Sequence, residues 1–281
     1  MNVPGYLRGD SRRLAPSAML RPRSLFNVIT VIIMLPLTSR LINLVMKMVP
    51  EKEACKSTDA FTPKLHYLND YMLRTPPLAV QQVKKEIVNM SHTAMENYHM
   101  ALHMILTMDF SEMDRFCNNE RELNYLNREI ARFLVKLSDS RLSENDQIYV
   151  STAYHTISDL ERIGDYSKNI MEHAKKMHGL NASFSETAVK NAMELENLID
   201  QLFDKVELAY SETDETALRN AYSIEEQIDS ITMEMGENHI KRLNEGDCSL
   251  NASSEFLSMT SDSERVADHL INMGKVIRLY S

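Results

Sequence analysis

From residue 78 to the C-terminus, apolar residues recur at helical spacing and almost nothing interrupts them. The chain of 281 residues has only 7 Gly and 8 Pro, no Trp and 19 Met, and few segments alternate as a half-buried strand must. That continuity restricts the fold to all-α. The pattern predicts helices at about 78–109, 111–139, 144–178, 185–211, 214–244 and 252–280. The breaks carry suitable punctuation. Ser183 with Glu186 is spaced as a capping box, and Ser143 with Asp146 as a weaker one. Gly179 and Gly246 stand just past helix ends, where a left-handed residue is wanted. The helices form two sets of three with matching lengths, so the body reads as a tandem repeat, 78–180 and 185–281.

Three segments precede the repeats. Residues 1–24 are a basic tail, with Arg8, Arg12, Arg13, Arg21 and Arg23 against Asp10 alone. The net charge of −9 therefore hides a body of −13, which repels nucleic acid and excludes a duplex-DNA binder. Residues 25–49 are strongly apolar, but the uncharged stretch Leu25–Ser39 has 15 residues. That is short of the roughly 18–20 a spanning helix needs, so the expectation is one tilted membrane span with Arg40 and Lys47 reaching the surface. Pro36 would kink it, which membrane helices tolerate. A signal peptide is the alternative, but no small-residue cleavage site follows. Residues 50–77 are a polar linker with an apolar patch at Leu65–Leu73. Cys55, Cys117 and Cys248 are widely spaced and odd in number, which reads as reduced thiols in a cytosolic setting.

A four-residue spacing of oxygen ligands recurs in repeat register on four helices: Glu120…Asn124, Glu161…Asp165, Glu225…Asp229 and Glu264…Asp268. The first pair of motifs is 41 residues apart and the second 39, and corresponding motifs are offset by 105 and 103. On a helix this spacing stacks two ligands on one face, so two adjacent helices can offer up to four carboxylates to one cation. The apolar stripes Leu123, Leu126, Ile130, Phe133, Leu134, Leu137 and Ile224, Ile228, Ile231, Met235 place the motifs on seams and outer faces, outside the core. Ordinary solvated helix faces are the alternative, and the register kept across both repeats argues against it. Oxygen ligands suit Mg²⁺, Mn²⁺, Ca²⁺ or ferric iron; His269 as an added ligand would shift the choice toward zinc, iron or nickel. His155 points to the core side of its helix and reads as packing. Arg162 and Arg265, each directly after a motif Glu, could grip a phosphate oxygen, though pairing with neighbouring charge is the plainer role. There is no Gly-rich phosphate loop, GxSxG or HExxH, and neither Glu172-His173 nor Glu237-Asn238-His239 has the Glu-x-x-His spacing of di-iron bundles. An enzyme is not expected.

These residues carry a family resemblance. DLERIGDYSKNI (159–170) resembles the third-helix signature of the PhoU family, and SERVADHLINM (263–273) its second-repeat counterpart. The resemblance covers about 78–281 and implies a fold of two three-helix bundles, six helices in all, here preceded by one membrane-type helix. It implies metal ions (iron, zinc, manganese or magnesium) on Glu120, Glu161, Asp165, Glu225, Asp229, Glu264 and Asp268, with Asn124 and His269 as possible additions. Asn124 stands where the family usually has Asp, so any metal in repeat one is expected to be looser or incomplete. The stretch LFNVITVIIMLPL (25–37) resembles the last membrane helix of bacterial sodium/phosphate cotransporters, in which a PhoU-like domain follows the membrane domain.

The reading that follows is a C-terminal PhoU-like regulatory part of a sodium-dependent phosphate cotransporter, not transport-competent alone. The alternative is a soluble PhoU-type adaptor in phosphate signalling. The implied partners are a transporter membrane domain or a phosphate-signalling protein such as a kinase, the membrane, and a second copy of the chain as a homo-oligomer. Five N-terminal arginines would hold that end in the cytoplasm and put the body outside. The family keeps this domain cytoplasmic, and the cysteines favour that too, so the expected location is the cell membrane with the PhoU-like domain cytoplasmic.

Overall fold

A computed structural model describes Thr30, Val31, Thr38, Cys55 and residues 61–245 and 250–279. The chain divides into two units, Met1–Glu53 and Ala54–Ser281. In the first, the three described residues are helical, while the rest of the basic tail and of the apolar segment 25–49 lies outside the described residues. Among the described residues no helix is long and apolar enough to cross a membrane.

The second unit is built of six long helices: α1 (Pro76–Thr107), α2 (Met113–Ser138), α3 (Glu144–Gly179), α4 (Glu186–Glu212), α5 (Glu215–Glu245) and α6 (Leu250–Lys275). A short 3₁₀ turn precedes α1 (Asp70–Arg74) and another follows α6 (Val276–Leu279). Pro76 and Pro77 open α1, where a missing N–H costs nothing. Ser143 caps α3 as expected, accepting from the Asp146 N–H. The cap of α4 is Ser185, not Ser183, accepting from the Ala188 N–H. The end of α3 also departs from expectation. Gly179 is still helical, and Asn181 takes the left-handed backbone (φ 51°). The N–H of Ala182 bonds to the Met177 carbonyl and that of Asn181 to the His178 carbonyl, the two bonds of a Schellman stop. Asn tolerates this conformation, so glycine was not needed. Gly246 lies outside the described residues.

Helices α1, α2 and α3 pack on one another, as do α4, α5 and α6, giving two three-helix bundles. The whole α2 stripe from Leu123 to Leu137 is buried. On α5 Ile228 and Met235 are buried, while Ile224 and Ile231 are partly so. Gly164 of α3 lets α2 come close, since a Cβ there would meet Leu123 Cδ1 at 2.9 Å. His155 faces solvent, contrary to the expected core position; the wheel direction is set by Ala153, Thr156, Ile157 and Leu160 around it.

The bundles dock through α3 on α6 and α1 on α4. Histidines recur along these contacts. His92 Nε2 is 3.0 Å from Glu207 and His99 Nε2 2.6 Å from Asp200, joining α1 to α4. His173 Nδ1 is 2.6 Å from Glu255, and His269 Nδ1 is 2.8 Å from Asp159, joining α3 to α6. In each case lower numbers on one helix meet higher numbers on the other, so both helix pairs run antiparallel.

The linker is fastened to repeat one. Glu86 of α1 is fully buried and accepts from the backbone N–H groups of Tyr67 (2.7 Å) and His66 (3.0 Å). A buried carboxylate is tolerated only when so satisfied. Leu68 is buried, and Leu65, Met72 and Leu73 pack against the core, as their apolar spacing suggested. Farther back, Cys55 and Cys117 form a disulfide, which corrects the expectation of three reduced thiols. Their separation of 62 residues carries no pairing signal; the returning linker is what brings them together. Cys248 lies outside the described residues.

Candidate metal seams and the interface between repeats

Each repeat aligns two motif helices side by side. In repeat two, Glu225 and Asp229 of α5 face the seam with Glu264 and Asp268 of α6. Burial pushes the Glu264 carboxyl above its usual range, and the negative charges of Asp229 and Asp268 push further, against Arg265. Glu225 is raised by burial and then by Asp229 and Asp268, with Lys275 opposing. Carboxylates on two helices therefore sense one another across the seam. Arg265 sits 3.9 Å from Asp268 three residues on, the neighbouring-charge role expected of it, and is well exposed.

Repeat one is arranged differently. Glu161 is raised by burial and by Asp165 on its own helix, with Arg162 opposing. The Glu120 carboxylate is engaged elsewhere. Lys168 Nζ lies 2.9 Å from its Oε1, and the Cys55 sulfur 3.6 Å from its Oε2. Its side chain is 14% exposed. Asn124 faces solvent and adds no charge. The hydrogen bond to Glu120 raises the Lys168 ammonium above its ordinary range, helped by Glu172 and Asp165 and opposed by burial.

Among the described residues, no three His, Cys, Asp or Glu side chains stand as a ready-made metal-ligand group. The chemistry of the two donor sets differs all the same. Repeat two offers oxygen donors that repel one another, which suits a hard cation. Repeat one offers fewer carboxylates, and one of them already holds an ammonium. His269 is half-buried, with Nδ1 2.8 Å from Asp159 and its ring stacked on Tyr166 at 5.7 Å between centroids.

The inter-repeat histidines were not legible as a group in the sequence. His99 is raised above its ordinary value chiefly by its hydrogen bond to Asp200, with Glu196 adding and burial opposing. His173 is raised chiefly by Asp262, 3.4 Å from Nε2, and by Glu255 on the other ring nitrogen. Glu255 is buried; burial alone would raise it, but Lys176, His173 and Ser254 together hold it below the usual carboxylate range. Beside this cluster a polar cleft of ≈ 560 Å³ opens between α3 and α6, lined by Asn169, Glu172, Lys176, Ser258 and Asp262 among others. The sequence signal that could have exposed these pairs is the pseudo-repeat itself. Asp159 and Asp262 are 103 residues apart, the same offset as the motifs, and each meets a histidine of the other repeat.

The PhoU domain family model matches residues 87–174 and 192–277, one stretch in each bundle. A protein of Xylella fastidiosa strain Temecula1 named phosphate-specific transport system accessory protein PhoU homolog is 22% identical over 207 residues, which are 74% of this chain and 85% of that protein. A Thermotoga maritima protein named phosphate-specific transport system accessory protein PhoU homolog 1 is 25% identical over 204 residues, 68% and 82% of the two chains. The crystal structure of PhoU from Pseudomonas aeruginosa superposes with a TM-score of 0.64 at 14% identity, covering 69% of this chain and 93% of that one. For the phosphate transport system regulatory protein PhoU from Streptococcus pneumoniae the values are 0.64, 17%, 72% and 95%.

Proposed function

The chain belongs to the PhoU domain family, and on that premise we propose that it is a regulatory accessory protein of phosphate transport that works by binding partners, not by catalysis. The observation that carries this reading is the placement of the two family matches, one on each three-helix bundle, with most of each accessory-protein relative covered. The fold offers long helical faces on which a partner protein can dock, which fits an adaptor. Its partners are a phosphate transporter or a phosphate-signalling protein, met at the cytoplasmic side of the membrane. To test this, the full chain is expressed in a bacterium lacking its own PhoU-type accessory protein. Restored repression of phosphate uptake in phosphate-rich medium is expected; uptake unchanged from the deletion strain would contradict it.

A second reading keeps the domain tethered, as the C-terminal part of a sodium/phosphate cotransporter. What favours it is the apolar stretch Leu25–Leu37 together with residues 1–86 lying ahead of the family match. Fractionation separates the two. Recovery of the full chain without detergent supports the adaptor, and retention in membranes after a high-salt wash supports the tether.

The metal reading is part of the proposal. Glu225, Asp229, Glu264 and Asp268 would together hold a hard divalent or ferric ion, which would also relieve their mutual repulsion. Glu161 and Asp165 are the remaining carboxylates of the other seam, with Glu120 already paired. An ion on the acidic seam would supply a fixed positive charge to an otherwise anionic surface, altering which partners can approach.

A further inference from the structure

We propose that repeat one carries its own cation: the Lys168 ammonium takes the place of a metal between α2 and α3, so metal binding in this chain is confined to repeat two. This rests on the metal reading of the acidic seams above.

Three observations converge on it. Lys168 Nζ is 2.9 Å from Glu120 Oε1, a charge-assisted hydrogen bond between two helices of the seam. Asp165 and Glu172 add to the field that holds it there. The ammonium thus ties α3 to the Glu120 carboxylate of α2, while Asp165 and Glu172 of its own helix act on it through their field. The disulfide sulfur of Cys55, which has no proton to donate, lies 3.6 Å from the second oxygen of Glu120 and narrows the approach to it. An incoming ion would have to displace a half-buried ion pair in order to reach this ligand. Finally, the repeats differ at this position in register. The residue 103 positions beyond Lys168 is Ile271, which is buried; the cation of repeat two is Lys275, one turn farther along α6, which acts on Glu225 through its field and forms no ion pair with it among the described residues. The departure at Asn124 fits the same picture, because a seam neutralised by lysine needs one carboxylate fewer.

Chemically, an ammonium and a metal ion are not equivalent. The ammonium supplies one charge and three donors at fixed stoichiometry, whatever the ionic conditions. A divalent ion supplies more charge but leaves when its concentration falls. The seam of repeat one would therefore stay neutralised whatever the ionic conditions, while repeat two would respond to the available metal.

The test is Mn²⁺ binding by equilibrium dialysis on the full chain. The Glu264→Gln/Asp268→Asn variant should bind no Mn²⁺ above background. Adding Lys168→Gln and Asn124→Asp to that variant should create binding, with affinity gained on the order of 10- to 100-fold, as outer-shell changes produce. Lys168→Arg with Asn124→Asp, which keeps the positive charge, should not. Helicity by circular dichroism identifies the variants that fold. The proposal is overturned if Mn²⁺ persists in Glu264→Gln/Asp268→Asn and is removed by Glu161→Gln/Asp165→Asn. It is overturned equally if the folded Lys168→Gln/Asn124→Asp protein gains nothing. Absence of Mn²⁺ from the unmodified chain would instead defeat the metal reading of repeat two, with Lys168 still judged by its own variant.

Discussion

Repeat one sets Lys168 against Glu120 where repeat two, at the same register, buries Ile271; repeat one has Asn124 where repeat two has Asp229. The scaffolds are otherwise alike: three long helices, an apolar stripe on the middle one, and two motif helices side by side. The difference shows how a duplicated fold diverges. Core positions are constrained by packing, and seam positions are free to exchange a carboxylate for an amide or to gain an ammonium. Repeat one also carries the attachments of the linker, through Glu86 and the Cys55–Cys117 disulfide, which have no counterpart among the described residues of repeat two. Repeat one reads as the anchored, permanently neutralised half, and repeat two as the half open to its surroundings.

The largest expected effect asks whether the halves are energetically separate at all. Leu126 and Ile228 are both fully buried, one in each bundle. Leu126→Ala and Ile228→Ala should each cost roughly 2–5 kcal/mol, the range for emptied core sites. Because α3 packs on α6 and α1 on α4, both variants should lower a single thermal transition. Two resolved transitions, with each substitution moving only one, would break the view of a docked pair.

A smaller effect should come from the interface histidines. Asp200 and Glu196 face His99 from α4, and Glu255 and Asp262 face His173 from α6, with Lys176 beside it on α3. Both are raised above the ordinary value near 6.5, so the folded state favours their charged forms. Their stabilisation is complete below about pH 6.5 and is lost as the pH rises through the raised values, into the neutral and mildly alkaline range. The melting temperature should fall by a few degrees over that range. His99→Gln/His173→Gln should start lower and show a flatter profile. An unchanged slope would mean that the interface does not depend on these charges.

How much of this was legible beforehand follows from how local each feature is. The six helices were readable because periodicity is a local property, and the observed ends lie within a few residues of those expected. Caps were harder. Ser183 and Ser185 both precede α4, and the choice between them depends on backbone direction, not on residue type. The acidic register of Glu161/Asp165 and Glu264/Asp268 was visible because a repeat offset survives in the numbering. Lys168 was not, since a lysine on a half-exposed helix face is unremarkable until its partner on another helix is known. The disulfide and the five histidine–carboxylate pairs between the repeats were hidden for the same reason, with 62 to 115 residues separating their members.

The most direct measurement is the metal content of three proteins purified without chelator: the full chain, Glu161→Gln/Asp165→Asn and Glu264→Gln/Asp268→Asn. If metal is confined to repeat two as proposed, elemental analysis should find the first two equal and the third at background. Equal content in all three, or loss in the repeat-one variant instead, would contradict the account.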